Sequence, residues 1–505
     1  MSSGTIGGAE HTVAFRADVR LYAREGGLVV FRSPRSYVLE GVSAAVRAVL
    51  DRLVELPVAL DSVEAAVPLA ADRRNLARIL DHLSHLLDHQ LGMGERVLAC
   101  IEPLAAVPVA GFPAAAPEGV FRLSRFALCR SLEDEFVLEA PQSPARVRLP
   151  DRAACALVAR LARPATAAEL VKATGLDEAA VGRLLGALTG LGLVVRASDP
   201  AGSEPPAFAE DVDPDLRPWD FHDRLFHARS RHVRRPALRF LDELPARPAT
   251  KAPAAGEPIA LFRPSPADVL RADPPFSSVL ESRRSLLRYG EHALTAEQLG
   301  EFLYRVARIR AHYGTRPGSY YDWDTRPPFE RTSRPYPSTD AAYELELYLT
   351  VRRCQDLPAG VYHYDPMAHA LRLLDTAPRD RAALIRQVGR AHKAEPDVLL
   401  LITSRIQRIS WSEQSIAYAL TLKHVGVLYQ TMYLVATAMG LAPCALKDAG
   451  EPELTVRLLG LDETQEVPVG DFALGSAPGG SPADDERLAG PNWQPVNDPQ
   501  WPTGH

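Results

Sequence analysis

The sequence predicts an α+β protein, with helices packed on mostly antiparallel sheet. Three features carry this reading. A strand-then-helix run occurs twice in the N-terminal part, and apolar strand-like segments (ELELYLTV, VLLLI, VPVGDFALG) alternate with helical ones in the C-terminal part. The third is residues 417–444, AYALTLKHVGVLYQTMYLVATAMGLAPC, uncharged from Val425 to Ala442 and apolar on nearly every side. Such a helix lies in a membrane or inside a large core. Its uncharged length, roughly 18 residues, is at the lower limit for a bilayer span. Gln430, Thr431 and Thr437 interrupt it, Lys423 and His424 abut it, and the sequence offers no second span. It therefore reads as a buried central helix, stopped by Gly440 and Pro443 and partly covered by a second copy of the chain.

At 505 residues the chain is long enough for about three domains. Its 57 basic and 63 acidic residues leave −6, an ordinary surface with no pull toward nucleic acid or anionic membrane. The start, MSSGTIGGAEHT, has no apolar signal core. The five cysteines are scattered without a CxxC pair, which predicts a cytoplasmic protein with reduced thiols.

The first run spans residues 15–105. VRLYAREGGLVVF is a hairpin turning at Gly26-Gly27, SPRSYVLEG a third strand, and GVSAAVRAVLDRLVEL and LARILDHLSHLLDHQLGM two helices. The second, residues 118–197, repeats the order. FRLSRFALCR, EFVLEAP and ARVRLP are strands, and AACALVARLA, TAAELVKATG and EAAVGRLLGALTGLG are helices. Two winged-helix-like modules are expected. The would-be recognition helix offers only Arg183 to a phosphate backbone, so DNA is a poor partner and an extended peptide a better one. A Pro/Ala/Asp-rich linker covers 198–258, a large domain 259–476, and an irregular tail 477–505.

Several clusters invite chemistry. Arg283-Arg284-Ser285 offers two guanidinium forks and a hydroxyl, suited to a phosphate, although surface Arg pairs are common. The turn Arg334-Pro-Tyr-Pro-Ser-Thr-Asp340 would present backbone amides. His82, His85 and His89, with Asp81 and Asp88, fall on one face if 76–93 is a single helix, where a solvated face is the better reading than a metal site. His222, His227, His232, Arg229 and Arg231 read as basic linker docked on acidic neighbours. HExxH, GxSxG, P-loop and GxGxxG motifs are absent from the sequence.

SRRSLLRYG, RPYPSTDAAYELELYL, GVYHYDPMAHAL, ISWSEQSIAYALTLKHVGVLYQTMYLVATAMGLAPCAL and EVPVGDFALG, in this order, resemble the SagB-type dehydrogenases (azoline oxidases) of the FMN-dependent nitroreductase superfamily. WDFHDRLFHARSR, LSRFALCR and EFVLEAP resemble the longer members, which carry two winged-helix modules of a precursor-recognising type. The resemblance implies a nitroreductase-like domain and an FMN-bearing homodimer that oxidises a thiazoline or oxazoline in a peptide to the azole. The partners implied are a precursor peptide and a YcaO-type cyclodehydratase or related maturation enzymes, not nucleic acid or membrane. By position, Arg283, Arg284 and Ser285 would hold the FMN phosphate. Pro337, Ser338 and Thr339 would line the flavin from the partner subunit, and the loop from Cys444 through Leu446 and Lys447 to Asp448 would face its reactive edge.

Four positions depart from that pattern. Ser412-Glu413 replace a Lys-Tyr pair credited with the proton chemistry, Asp340 stands where Gly is preferred, Leu287 replaces an Arg, and Lys447-Asp448 replace Gly-Gly. Either Glu413, beside Ser412, becomes the base, or the substrate differs, or the chain is a degenerate scaffold. A carboxylate among Ile409, Trp411 and Ile416 can act as a base if its site is water-poor. The plainer role for Glu413 is at the start of the helix that begins near Gln414.

Overall fold

The computed structural model describes residues 11–33, 35–104, 118–132, 134–198, 205–231, 246–313, 329–392, 394–411, 413, 416–447 and 452–479. The chain divides into two compact units, 1–237 and 238–505.

In the first unit, seven antiparallel strands run in the order Val58–Ala59, His11–Phe15, Leu87–Met93, Arg96–Pro103, Ala145–Arg148, Glu135–Glu139 and Leu128–Leu132. One sheet thus passes through both strand-helix runs. Glu102 sits where the runs meet, opposite Arg146, whose Nε and Nη2 donate to it at 2.6 and 2.8 Å; Arg16 donates to it as well. Together they hold the Glu102 carboxyl down at about 2 against the cost of burial. A separate three-stranded sheet, Arg20–Arg24, Gly27–Arg32 and Arg35–Glu40, turns at Gly26 with φ +75°.

The expected second helix of the first run ends early. Ala70–His82 is helical, Ser84–Leu86 is a short turn, and Leu87–Met93 is a strand paired on both sides. Two-sided pairing overrides the helical spacing there. His82, His85 and His89 consequently do not share a helix face. His85 bonds the Tyr37 hydroxyl at 2.7 Å, and His89 is fully buried, 3.1 Å from His11, with burial pulling it down to about 4. The solvated face expected of these histidines is therefore corrected. Among the described residues no group of three or more His, Cys, Asp or Glu could hold a metal ion. Arg183 is buried and donates to the Gly92 carbonyl, so it does not face solvent. Arg229 does dock on an acidic neighbour, Glu139, and His222 lies beside Asp220 and Asp223; Arg231 has no described side chain and His232 lies outside the described residues.

The second unit is three layers. Its antiparallel sheet runs Pro258–Ala260, Ala370–Leu373, Gly360–Asp365, Leu345–Val351, Val398–Ser404, Val467–Ser476 and Leu441–Leu446. Leu345, Leu347, Leu349, Leu400 and Phe472 pack on one face against Ala296–Ala307 and the central helix Ala417–Ala438. Leu399, Leu401 and Ala473 pack on the other against Pro378–His392 and Pro452–Leu459. Burial on both faces explains why VLLLI is apolar throughout. Gly440, at φ +65°, ends the central helix just after its C-cap Met439. Pro443 does not stop the helix, contrary to what its position in the sequence predicts, but lies within the strand Leu441–Leu446. That strand is at the sheet edge, where a residue without N–H costs no ladder bond. Among the described residues no helix is long and apolar enough to cross a membrane.

One buried cation ties this unit together. Arg408, with 0% exposure, donates through Nη1 to the carbonyl of Arg247 at 2.6 Å and through its other nitrogens to the carbonyls of Ala342 and Glu330. Its guanidinium lies 4.3 Å over the Phe329 ring, and Phe329 stacks on Trp411 at 5.4 Å. Burial, with Arg405 and Arg334 nearby, pulls Arg408 down to about 9. Arg408→Met keeps the length but strands three carbonyls. We expect it to lower the unfolding free energy of this unit by about 3 kcal/mol or more, at about 1–3 per buried unsatisfied group, measured by urea denaturation.

Candidate functional site

The helix Phe276–Ser282 delivers Arg283, Arg284 and Ser285 to the C-terminal half of the central helix. The Arg283 guanidinium lies 5.1 Å over the Tyr433 ring, and Ser285 Oγ is 2.7 Å from the Tyr433 hydroxyl. That hydroxyl also accepts the Ala445 N–H at 2.7 Å, and the Leu286 N–H donates to the Pro443 carbonyl at 2.8 Å. Two half-buried guanidiniums and an exposed hydroxyl are thus fixed at successive positions beside the strand Leu441–Leu446. This donor set fits the phosphate of a flavin mononucleotide.

The turn holding Pro337, Ser338 and Thr339 is fixed to the other half of the same helix. The Thr339 N–H donates to His424 Nε2 at 3.0 Å, and the Thr339 hydroxyl lies 3.1 Å from the same nitrogen. His424 Nδ1 is 2.7 Å from Glu344 Oε1, and the Tyr343 N–H donates to Ser338 Oγ at 3.1 Å. Asp340, Ala341 and Tyr343 have φ of 50°, 55° and 48°. Asp340 therefore occupies the left-handed conformation that glycine adopts freely; aspartate is among the few other residues that tolerate it. Tyr433 is nine positions after His424 on the helix. At 1.5 Å per residue the two groups of candidate residues sit about 13.5 Å apart along one helix.

The segment expected to be a loop after the central helix is the edge strand Leu441–Leu446, so that expectation is corrected. Cys444 and Leu446 are buried and Lys447 is exposed. Tyr289 packs beside it, its ring against the Gly475 backbone, where a Cβ would come within 2.4 Å of it. Leu287 joins the apolar cluster that contains Cys444 and Leu446, so it serves the core.

Glu413 follows the short helix Ile406–Ser410. Its N–H donates to the Ile409 carbonyl at 2.9 Å, and its own carbonyl accepts the Ile416 N–H at 3.3 Å. The central helix starts at Ala417, later than expected, with Ile416 as N-cap and no side-chain cap bond. Buried Ile409 and Trp411 flank Glu413, which is itself half-buried. Ser412, Gln414 and Asp448 lie outside the described residues. Sequence reasoning missed Tyr433, Glu344 and the site contacts of His424. A polar side chain inside an otherwise apolar helix was the available signal.

Residues 280–476 match the Nitroreductase family, and residues 121–236 match the family described as Cyanobactin oxidase ThcOx. The Methanocaldococcus jannaschii protein MJ1384, whose name gives it as a nitroreductase, is 29% identical over 164 residues, covering 32% of this chain and 73% of the relative. Among solved structures, one named as a nitroreductase from Ralstonia eutropha has 21% identity, covers 46% of this chain and 99% of its own, and has a TM-score of 0.34. The E. coli microcin synthetase McbBCD complex with truncated pro-MccB17 has 22% identity, covers 43% and 77%, and has a TM-score of 0.31. One named as a nitroreductase from Desulfovibrio desulfuricans, in complex with FMN, has 16% identity, covers 43% and 95%, and has a TM-score of 0.26. The two family matches support the resemblance to SagB-type dehydrogenases. The chain carries a nitroreductase-family domain and is an oxidoreductase.

Proposed function

We propose that this oxidoreductase is an FMN-dependent dehydrogenase that oxidises thiazolines or oxazolines to azoles in a ribosomally made peptide. On this reading it works in the cytoplasm after a YcaO-type cyclodehydratase or a related maturation enzyme, and its N-terminal winged-helix-like modules hold the precursor. The observation that carries the proposal is the set Arg283, Arg284 and Ser285, braced on Tyr433 beside the strand Leu441–Leu446. When bound, FMN supplies the two-electron acceptor that aromatisation of the ring requires. Arg283, Arg284 and Ser285 hold its phosphate, and Cys444, Leu446 and Lys447 lie along its edge. We expect Arg283→Ala with Arg284→Ala to strip the flavin, at about 1.5–3 kcal/mol per lost charge-assisted bond. Flavin absorbance after gel filtration measures this, and a wild type that stays colourless after soaking in FMN would sink the cofactor.

A homodimer completes the site on this reading. Pro337, Ser338 and Thr339 line the flavin held by the other subunit's arginines, which accommodates the 13.5 Å separation within one chain (about nine helical residues). Tyr418 and Leu422, 46% and 39% exposed, begin a stripe on the central helix that continues through Gly426 and Gln430. A Cβ on Gly426 would meet nothing within 4 Å, so a second backbone has room to approach there. Leu270, Phe276 and Leu280 are also exposed. Light scattering should give a dimer for the wild type and a monomer for Leu422→Asp with Gly426→Glu. A monomeric wild type at micromolar concentration would remove both dimer and shared site.

The proton lost from the azoline carbon needs an acceptor, and Glu413, beside Ser412, is the first candidate. Glu413→Gln keeps the shape and removes the base. A loss of roughly a hundredfold in flavin reduction by substrate, with FMN retained, assigns it the proton; an unchanged rate returns it to its place at the helix entry. The altered positions also favour a second reading, a degenerate oxidase that serves as a binding subunit. A yellow wild type whose flavin no azoline peptide reduces would support that one.

A further inference from the structure

Two histidines of the first strand-helix run stand in a setting that the dehydrogenase chemistry does not use. In the small sheet of that run, Arg35–Glu40 is an edge strand. Arg32 stands directly opposite Arg35 in the ladder, and Val30 opposite Tyr37, so Arg32, Arg35 and Tyr37 share one face. The apolar part of that face, Leu28, Val30 and Leu39, is buried in the core. Its other end meets the close of the helix Ala70–His82 and the turn Ser84–Leu86. There the Tyr37 ring lies edge-on to both imidazoles, its centroid 6.0 Å from that of His82 and 5.3 Å from that of His85.

Like charges set directly across a ladder repel, and this corner adds two imidazoles to a pair of guanidiniums. Arg32 has a counter-charge in Asp18 at 2.9 Å. Arg35 is exposed and forms no ion pair or hydrogen bond with the described residues. The other carboxylates nearby are Asp81, exposed just before His82, and Asp88, which lies near Arg32. Burial first, then His82, Arg32 and Arg35, hold the His85 imidazole below its ordinary range. When neutral, His85 gives its one N–H to the His82 backbone, and its Nε2, 2.7 Å from the Tyr37 hydroxyl, accepts the phenolic proton. When charged, Nε2 donates instead and the hydroxyl proton turns outward. Arg35, His82 and Tyr37 then offer donors together, a set that suits an oxyanion.

The strand edge decides what carries that oxyanion. Arg35–Glu40 is paired on one side only, to Gly27–Arg32, and Ser36, Val38 and Glu40 are exposed. An extended chain can pair there and carry its side chains past the corner. The corresponding strand of the second run, Ala145–Arg148, is paired on both sides, to Arg96–Pro103 and Glu135–Glu139. Of these two strands, the first therefore has the open edge, and it has the cations beside it. We propose that Arg35, His82 and Tyr37, switched by His85, bind a side-chain carboxylate of an extended peptide laid along Arg35–Glu40. The proposal rests on the reading that the N-terminal modules hold a peptide, and it adds the side chain that the first of them selects.

The test uses the full chain and two fluorescein-labelled peptides, one alternating valine with glutamate and one alternating valine with glutamine. We expect fluorescence anisotropy to show the glutamate peptide bound roughly tenfold more tightly, as one charge-assisted pair supplies. Arg35→Gln should remove that preference and keep the affinity for the glutamine peptide. Lowering the pH from about 7.5 to about 5.5, through the imidazole range, should tighten binding of the glutamate peptide. The gain should shrink in Tyr37→Phe, which keeps the ring but has no proton to turn. By NMR, the glutamate peptide should raise the titration midpoint of His85. Equal affinities of the wild type for the two peptides, or a full preference in Arg35→Gln, overturn the site while leaving the modules as peptide holders. An undiminished pH gain in Tyr37→Phe overturns the switch. Inorganic phosphate bound more tightly than the glutamate peptide assigns the corner to phosphate and overturns the peptide carboxylate. Binding of neither peptide at millimolar concentration overturns the site together with the reading that the first module holds a peptide.

Discussion

The guanidinium of Arg408 is the constraint on which the candidate site depends. A charge that deep is tolerated only if its hydrogens are used. Here they reach backbone carbonyls from three separate stretches: the strap at Arg247, the segment at Glu330 and the turn at Ala342. Carbonyls accept without adding a counter-charge, so the cation stays net positive and draws electron-rich surfaces. Phe329 lies against it, and Trp411 against Phe329. The backbone leading into Glu413 and the turn carrying Thr339 are thus set by one group. The neighbouring Arg405 also donates to the strap, to the carbonyls of Pro248 and Ala249 at 2.8 and 2.9 Å, but it has a counter-charge in Glu346 at 2.8 Å. Lys251 then pairs with buried Glu466 on the same stretch.

Much of this was legible in the residues. The central helix, the hairpin Gly360–Asp365 with Ala370–Leu373, and the strands Val398–Ser404 and Val467–Ser476 follow from apolar spacing, because spacing records which faces are buried. Spacing failed where sheet pairing, not periodicity, decided the element. Leu87–Met93 reads as helix by period, yet its neighbours in the sheet are His11–Phe15 and Arg96–Pro103. The strand Leu441–Leu446 was hidden by Pro443, which is harmless only because the strand is at an edge. Arg408 carried no signal, since carbonyl acceptors have no residue identity to read.

The four unusual positions separate when seen in space. Leu287 has an apolar place to fill beside Cys444 and Leu446. Asp340 meets a left-handed backbone requirement shared with Ala341 and Tyr343, where each non-glycine residue costs roughly 1 kcal/mol or more. That strain is offset by the bonds to His424, Ser338 and Arg408 that clamp the turn. Glu413 and Lys447 remain as residues whose side chains can meet a ligand, half-buried and exposed respectively.

The sheet that runs through both N-terminal strand-helix runs sets how that unit can be dissected. Its seam joins Arg96–Pro103 to Ala145–Arg148, with Glu102 clamped between Arg16 and Arg146. A fragment ending after the first run would carry a bare strand edge and a carboxylate deprived of Arg146. Open edges of that kind recruit other chains. We expect the two runs to melt and to resist proteolysis together because of this seam, although each packs its own apolar core.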